Sequence, residues 1–283
     1  MSAPIVLSIQ SRVAHGHVGN SAAVFVLQSL GCEVIEVPTV LLSAHPGYGP
    51  PGGGALPVEL LRGVIDGLER IGMLARIDAV IVGFLGTVET GHLAADAIRR
   101  VRAANPAALV VIDPVIGDRD GGRYVRDGIA EVFRDHLIPL ADAVKPNHFE
   151  LEYLAGRPLP DLAAALGALD ALKVPVAVAT SLELPEGDLG TLALVGGTAW
   201  LARTRPAADP PHGLGDSLGA ALAAHMSAGE TALTALGRAI GMVEALIGAA
   251  RSLGRAELPL IEAASLIAGA PPKRLERLAI PPR

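Results

Sequence analysis

The sequence is poor in lysine, cysteine and aromatic residues, and each shortage closes off a class of function. Only Lys145, Lys173 and Lys273 are present, and the net charge is −6. No basic run carries interleaved aromatics, so the electrostatic footprint of a nucleic-acid binder is missing. Cys32 is the sole cysteine, so no internal disulfide can form, which fits a reducing cytoplasm. No uninterrupted apolar run reaches the roughly 18 residues that span a bilayer. The opening MSAPIVLSIQ has no basic leader region and reads as a buried strand, so no membrane partner is expected. Two nucleotide signatures are absent as well. No lysine follows a glycine-rich turn, as GxxxxGK[ST] would require. His15-Gly16-His17-Val18-Gly19 has the wrong spacing for GxGxxG. A P-loop ATPase and a simple dinucleotide-binding dehydrogenase are both disfavoured.

About half of the 283 residues are apolar and 18% are charged, a globular composition with enough chain for one large α/β domain over residues 1–283. Short β-branched runs at Ile5–Ile9, Val34–Val37, Ala79–Val82, Leu109–Ile112 and Val174–Ala179 predict strands. Their continuous apolar character suits a parallel sheet covered on both faces. Helices are predicted between them, near Gly19–Leu30, Pro57–Leu74, Thr90–Ala104 and Leu159–Leu172, and this alternation predicts an α/β sandwich. Thr191–Val195 and Thr198–Ala202 flank a Gly-Gly pair, a hairpin signal that adds antiparallel strands at one edge. Asp216 to Gly254 reads as two helices, and Ala270–Arg283 as a tail over the surface. The Gly- and Pro-rich stretch His45–Gly54 fits neither a helix nor a central strand; it is a plain loop or a mobile flap.

Four segments can carry chemistry. Gly213-Leu214-Gly215-Asp216 precedes an alanine-rich helix, which makes an anion site at a helix N-terminus. There Asp216 can take a proton from a substrate hydroxyl; alternatively it is only an N-cap. Asp113-Pro114-Val115-Ile116-Gly117-Asp118 follows a strand, where α/β sheets place ligands and where hard oxygens suit Mg²⁺; alternatively it is a turn. In Lys145-Pro146-Asn147-His148-Phe149-Glu150 the Asn and Glu can orient metal-bound water and phosphate, or form a capping box. Thr180 and Ser181 offer hydroxyls at another strand end.

The order of these segments resembles the ribokinase-like superfamily, with GLGD standing for its GxGD anion hole. The opening IQSRVAHGHVGNSAAVFVLQSLGCEV, together with SAHPGYG, VGFLGT, DPVIGD and KPNHFELE, resembles pyridoxal kinases from about residue 5 to about residue 255. The resemblance implies a three-layer α/β/α sandwich, mostly parallel with an antiparallel edge. It also implies transfer of a phosphoryl group from ATP to pyridoxal. Asp216 would be the general base, and Gly213, Gly215 and Asp216 would supply the anion-hole amides, with Leu214 beside the nucleotide. Asp113, Asp118 and Glu150 would lie around Mg²⁺, and Tyr124, Asn147, Thr180 and Ser181 around ATP. Ser11, Val18, Thr39, His45 and Phe84 would line the vitamin pocket. A monovalent cation such as K⁺ and a homodimer are further implications.

Pro46 and Phe84 stand where relatives usually have Thr and Tyr, and Leu214 where Thr, Ala or Val is commoner. These departures touch the choice of vitamer more than the phosphoryl-transfer residues. His15 and His17 fall at variable positions and read as structural. Two other functions remain open at this point: a related kinase acting on hydroxymethylpyrimidine, and a vitamer-binding protein with little or no catalysis.

Overall fold

A computed structural model describes residues 2–279. In chain order the strands and helices are β1 (Ile5–Val13), α1 (Asn20–Ser29), β2 (Glu33–Leu42), β3 (Gly53–Ala55), α2 (Val58–Arg70), β4 (Ala79–Val82), α3 (Val88–Ala104), β5 (Leu109–Ile112), β6 (Gly117–Asp118), β7 (Gly122–Arg123), α4 (Ile129–Val132), β8 (Ala143–Val144), α5 (His148–Ala155), α6 (Leu162–Ala171), β9 (Val176–Glu183), β10 (Leu189–Val195), β11 (Thr198–Thr204), α7 (Leu214–Ser227), α8 (Ala232–Leu253), α9 (Ala264–Gly269) and β12 (Glu276–Arg277). A ten-stranded sheet runs in the order β12-β11-β10-β9-β8-β5-β4-β1-β2-β3. Strands β2 to β9 of that order are parallel, while β3 at one edge and β10–β12 at the other are antiparallel. The strands β6 and β7 form a separate two-stranded hairpin.

Two apolar clusters fill the space above and below the sheet. One joins alternate strand residues such as Leu7, Val80 and Val110 to α2, α3 and α6 through Ile65, Ile98 and Leu169. The other joins Val6, Ile81 and Val111 to α1, α7 and α8 through Leu27, Leu222 and Ile240. Both faces of each central strand are therefore buried, which is why those strands read as unbroken apolar runs. The helix α8 is long and apolar enough to cross a bilayer, with a mean hydropathy of 1.4. Here it is a core helix, with Leu236, Ile240, Met242 and Leu246 buried within the second cluster.

The expected strands and helices are present, and the differences have local causes. The strand β1 runs on to Val13, so Ser11 lies inside the strand rather than after it. β2 runs through Pro38 to Leu42. It tolerates the proline because β3 pairs only with Val40–Leu42, which leaves Pro38 effectively at an edge. β9 continues past Ala179 to Glu183 through a bulge in which Thr180 and Ser181 together face Thr191, and Ser181 takes a φ of 58°. The Gly196-Gly197 turn has positive φ at both residues, as a two-residue hairpin needs. The stretch His45–Gly54 is more regular than expected: Pro46–Tyr48 form a 3-10 turn and Gly53-Gly54 enter the edge strand β3. Of the tail, residues 280–283 lie outside the described residues, and Glu276–Arg277 pair with β11 rather than lying loose.

Candidate active site

The site gathers at the carboxyl ends of β1, β5, β8 and β9, where the start of α7 meets them. Gly213 is the N-cap of α7, at φ 86° and with no side-chain cap. A β-carbon there would fall 1.8 Å from the carbonyl oxygen of His17, so only glycine lets the loop before α1 press against the helix start. Gly19, at φ 54°, is equally constrained, since its β-carbon would meet the Ser11 hydroxyl at 2.1 Å. Asp216 is thus not an N-cap. It sits in the first turn of α7, where the nearby Gly19 amide favours its charged form. Leu214 packs partly into the second apolar cluster.

The loop that reaches Asp216 is held by a buried polar network. The Ser8 hydroxyl donates to Asn20 Oδ1 at 2.7 Å, and Gln10 Nε2 donates to Ser8 Oγ at 2.8 Å. Asn20 Nδ2 in turn donates to the Gln10 carbonyl at 3.2 Å. All three side chains are buried, so the network fixes the entry of α1 against β1 and with it the positions of Val18, Gly19 and Ser11.

Beneath the turn lies an ion pair. Lys145, just after β8, stands with Nζ 3.0 Å from Oδ2 of Asp113, just after β5, and both side chains are under 7% exposed (4% and 6%). A methyl at Gly215 would lie 3.7 Å from the same ammonium, and one at Gly219 3.5 Å from its Cε. Burial alone would push the Lys145 ammonium down, but Asp113, Glu150 and Asp216 together hold it above the ordinary lysine range. Burial also raises the Asp113 carboxyl, against the pull of Lys145. Asp216 is pushed up to about 6 by burial and then by the charge of Asp113. Glu150 is pushed up to about 8 for the same two reasons. A Tyr124 hydroxyl raised by desolvation and by Glu150, Asp118, Asp216 and Asp113 belongs to the same acidic field.

Glu150 and Asn147 form the expected capping box at the start of α5. They do more than cap it. One carboxylate oxygen of Glu150 accepts from the Asn147 amide at 2.8 Å and the other from the Ile116 amide at 3.0 Å. Asn147 Nδ2 donates to the Gly117 carbonyl at 2.8 Å. The DPVIGD turn is thereby bolted to the start of α5. Thr180 joins it through its amide, which donates to the Pro146 carbonyl at 3.0 Å, and through a bridge to Asn147. Asp118 stands apart: exposed on the β6–β7 hairpin, it accepts from the Gly121 amide at 2.6 Å. Among the described residues no three His, Cys, Asp or Glu side chains gather closely enough to hold a metal ion by themselves. Asp113, Asp118 and Glu150 therefore fit an octahedral Mg²⁺ only as partners of phosphate oxygens and waters, the way Mg²⁺ is commonly held beside nucleotides.

On the opposite side, Thr39 is fully buried in β2 and donates to the Phe84 carbonyl at 2.6 Å, so its hydroxyl fixes the loop after β4. His45 caps the 3-10 turn by accepting from the Gly47 amide at 3.0 Å. Its ring stacks on His212 with centroids 4.0 Å apart, next to Gly213. Tyr48 donates to Glu257 at 2.6 Å, and the other oxygen of Glu257 accepts from the His17 amide at 3.1 Å. Glu257 thus ties the 45–54 segment to the loop before α1, His212 ties it to the start of α7, and His15 packs edge-on to Tyr48. Sequence reasoning missed Lys145, Asn20, Tyr48, His212 and Glu257. A lysine at a strand end in a chain with three lysines was a readable signal for Lys145; Glu257 gave none.

A mostly parallel sandwich with an acid in the first turn of a glycine-started helix defines a small-molecule kinase of the ribokinase-like class. The comparisons with known proteins agree. The phosphomethylpyrimidine kinase family profile matches residues 60–261. The pyridoxal kinase PdxY of Corynebacterium diphtheriae is 39% identical over 269 residues, 93% of this chain and 95% of that one. The Rubrobacter xylanophilus pyridoxal kinase PdxY is 40% identical over 276 residues, 95% of each chain. The structure of Leishmania donovani pyridoxal kinase in complex with ADP and pyridoxine superposes with a TM-score of 0.89 at 29% identity, covering 97% of this chain and 99% of that one. This chain belongs to the pyridoxal kinase family.

Proposed function

We propose that the chain, as one kinase domain over residues 1–283, transfers the γ-phosphoryl group of ATP to the 5′-hydroxyl of pyridoxal. The observation that carries this reading is the position of Asp216. Its carboxylate lies in the first turn of α7, on the phosphate side, beside the Gly19 amide of the loop between β1 and α1, on the vitamin side. In the step, Asp216 takes the hydroxyl proton, the hydroxyl oxygen bonds to the γ-phosphorus, and the bond to the β,γ-bridging oxygen breaks to release ADP. The amides of Gly213, Gly215 and Asp216 face the charge that develops on the phosphoryl oxygens, with the dipole of α7 behind them. Mg²⁺ arriving with ATP would neutralise phosphate charge, with Asp113, Glu150 and Asp118 reaching it directly or through water. Asn147, Tyr124, Thr180, Ser181 and Leu214 are assigned to the nucleotide. Ser11, Val18, Thr39, His45 and Phe84 are assigned to the vitamer, Thr39 acting through Phe84. A homodimer in the cytoplasm completes the reading.

A panel of pyridoxal, pyridoxine, pyridoxamine and hydroxymethylpyrimidine with MgATP tests it. Phosphorylated pyridoxal as the fastest product is expected. Preference for hydroxymethylpyrimidine, in line with the phosphomethylpyrimidine kinase profile that also matches, would replace the substrate and keep the mechanism. Vitamer binding without any phosphorylated product would make the chain a binding protein.

A further inference from the structure

Several buried carboxyl groups converge on the site. Asp113 and Glu150 are buried, Asp216 stands beside them, and ATP brings further anionic groups to the same place. Something fixed and positive must offset that charge before Mg²⁺ and ATP arrive. Among the described residues no lysine or arginine other than Lys145 is buried. Its ammonium is 3.0 Å from Asp113 and lies directly under the Gly213–Gly215 turn.

We propose that Lys145 is the resident cation of this site, occupying by its ammonium the place a soluble monovalent ion would otherwise take beside Asp113. This rests on the kinase reading above. Lys145 is a positioning residue. It keeps Asp113 in one orientation, offsets the carboxylates beneath the phosphate turn and so lets the turn's amides bind phosphate without recruiting K⁺. A tethered ammonium reaches this spot with no cost of capturing an ion from solution, and it occupies the Oδ2 side of Asp113 where such an ion would bind. The K⁺ expected from the family resemblance is then dispensable in this chain.

The test measures two things with K⁺ varied up to about 0.1 M at constant ionic strength, using tetramethylammonium as the bulky replacement. The first is kinase turnover; the second is MgATP binding by calorimetry, which needs no turnover. For the unaltered protein, both are expected to be flat in K⁺. Lys145→Met, which keeps the length of the stem, is expected to lose about 10²-fold in kcat with a smaller change in KM for pyridoxal. It is also expected to regain part of its rate, and to bind MgATP more tightly, as K⁺ or ammonium is added. Unaltered protein that requires K⁺ for turnover or for MgATP binding would overturn the proposal. So would a folded Lys145→Met protein with full turnover, or one whose loss no monovalent cation relieves. If Lys145→Met does not fold, the K⁺ series on the unaltered protein decides. If the unaltered protein phosphorylates nothing in the panel, the functional reading fails, and the dependence of MgATP binding on K⁺ still decides the role of Lys145.

Discussion

The two sides of the site are built differently. On the phosphate side, Asp113, Lys145 and Glu150 are buried, and Glu150 is held by two backbone amides. On the flap side, the contacts pair exposed side chains with half-buried ones: Tyr48 to Glu257, and His212 to His45. The difference follows from the work each side would do. Donors that face developing charge lose their value if they must reorganise during the step, so they belong on buried, backbone-anchored scaffolding. A flap that must admit a substrate and then exclude water needs contacts weak enough to break on each cycle.

The sharpest way to break this comparison is Asp216→Asn. The N-cap of α7 is Gly213, so the helix start should survive. Loss of the general base is expected to cut kcat by roughly 10²–10⁴-fold with both ligands still bound. Normal turnover in the folded variant would remove the proposed base.

The next test uses two acids of one turn. Asp113→Ala strands a buried ammonium and is expected to cost about 3–5 kcal/mol of stability, in addition to weakening MgATP use. Asp118→Ala removes an exposed hairpin contact and is expected to cost about 1 kcal/mol or less. Denaturant melts of the two variants measure this, and equal losses would show that the buried pair is not the anchor argued here.

A third, smaller effect is the response to pH. Asp216 must be ionised to accept a proton, and its surroundings push its pKa up to about 6. The sign is therefore that kcat/KM falls as pH drops through about 6, approaching tenfold per unit below it, and is insensitive to that group well above it. In Asp216→Asn this acidic limb should vanish. Its persistence in the variant would assign the limb to another group.

The smallest effect is expected on the flap side. Tyr48→Phe and Glu257→Gln should speed hydrogen exchange over residues 45–54 while changing kcat by less than about fivefold, as for an exposed polar contact. A loss as large as that of Asp216→Asn would mean that the flap, too, is part of the preorganised machinery.

Much of this was legible in the chain. Central strands buried on both faces advertise themselves as apolar runs, which is why Ala79–Val82 and Leu109–Ile112 fall where the periodicity puts them. The Gly-Gly hairpin and the Asn147–Glu150 capping box follow from local backbone rules that tertiary context did not override. The bulge at Thr180-Ser181 and the extension of β1 through Ser11 were not legible, because each depends on a neighbouring strand rather than on local composition.

By itself the sequence determined the sandwich, the glycine turn before α7 and the carboxylates that follow its strands, since each rests on spacing within a few residues. It also brought the family within reach through the order of those segments. Only the tertiary structure decided which groups share an electrostatic field. Lys145 and Asp113 are separated along the chain by the β6–β7 hairpin, α4 and β8, and only the pairing of β5 with β8 brings their side chains together. Glu257 meets Tyr48 and the His17 amide because the segment after α8 folds back over the opening loop. Charge interactions act through space and grow strong once water is excluded. Burial and distance therefore settle them, and neither can be read along the chain.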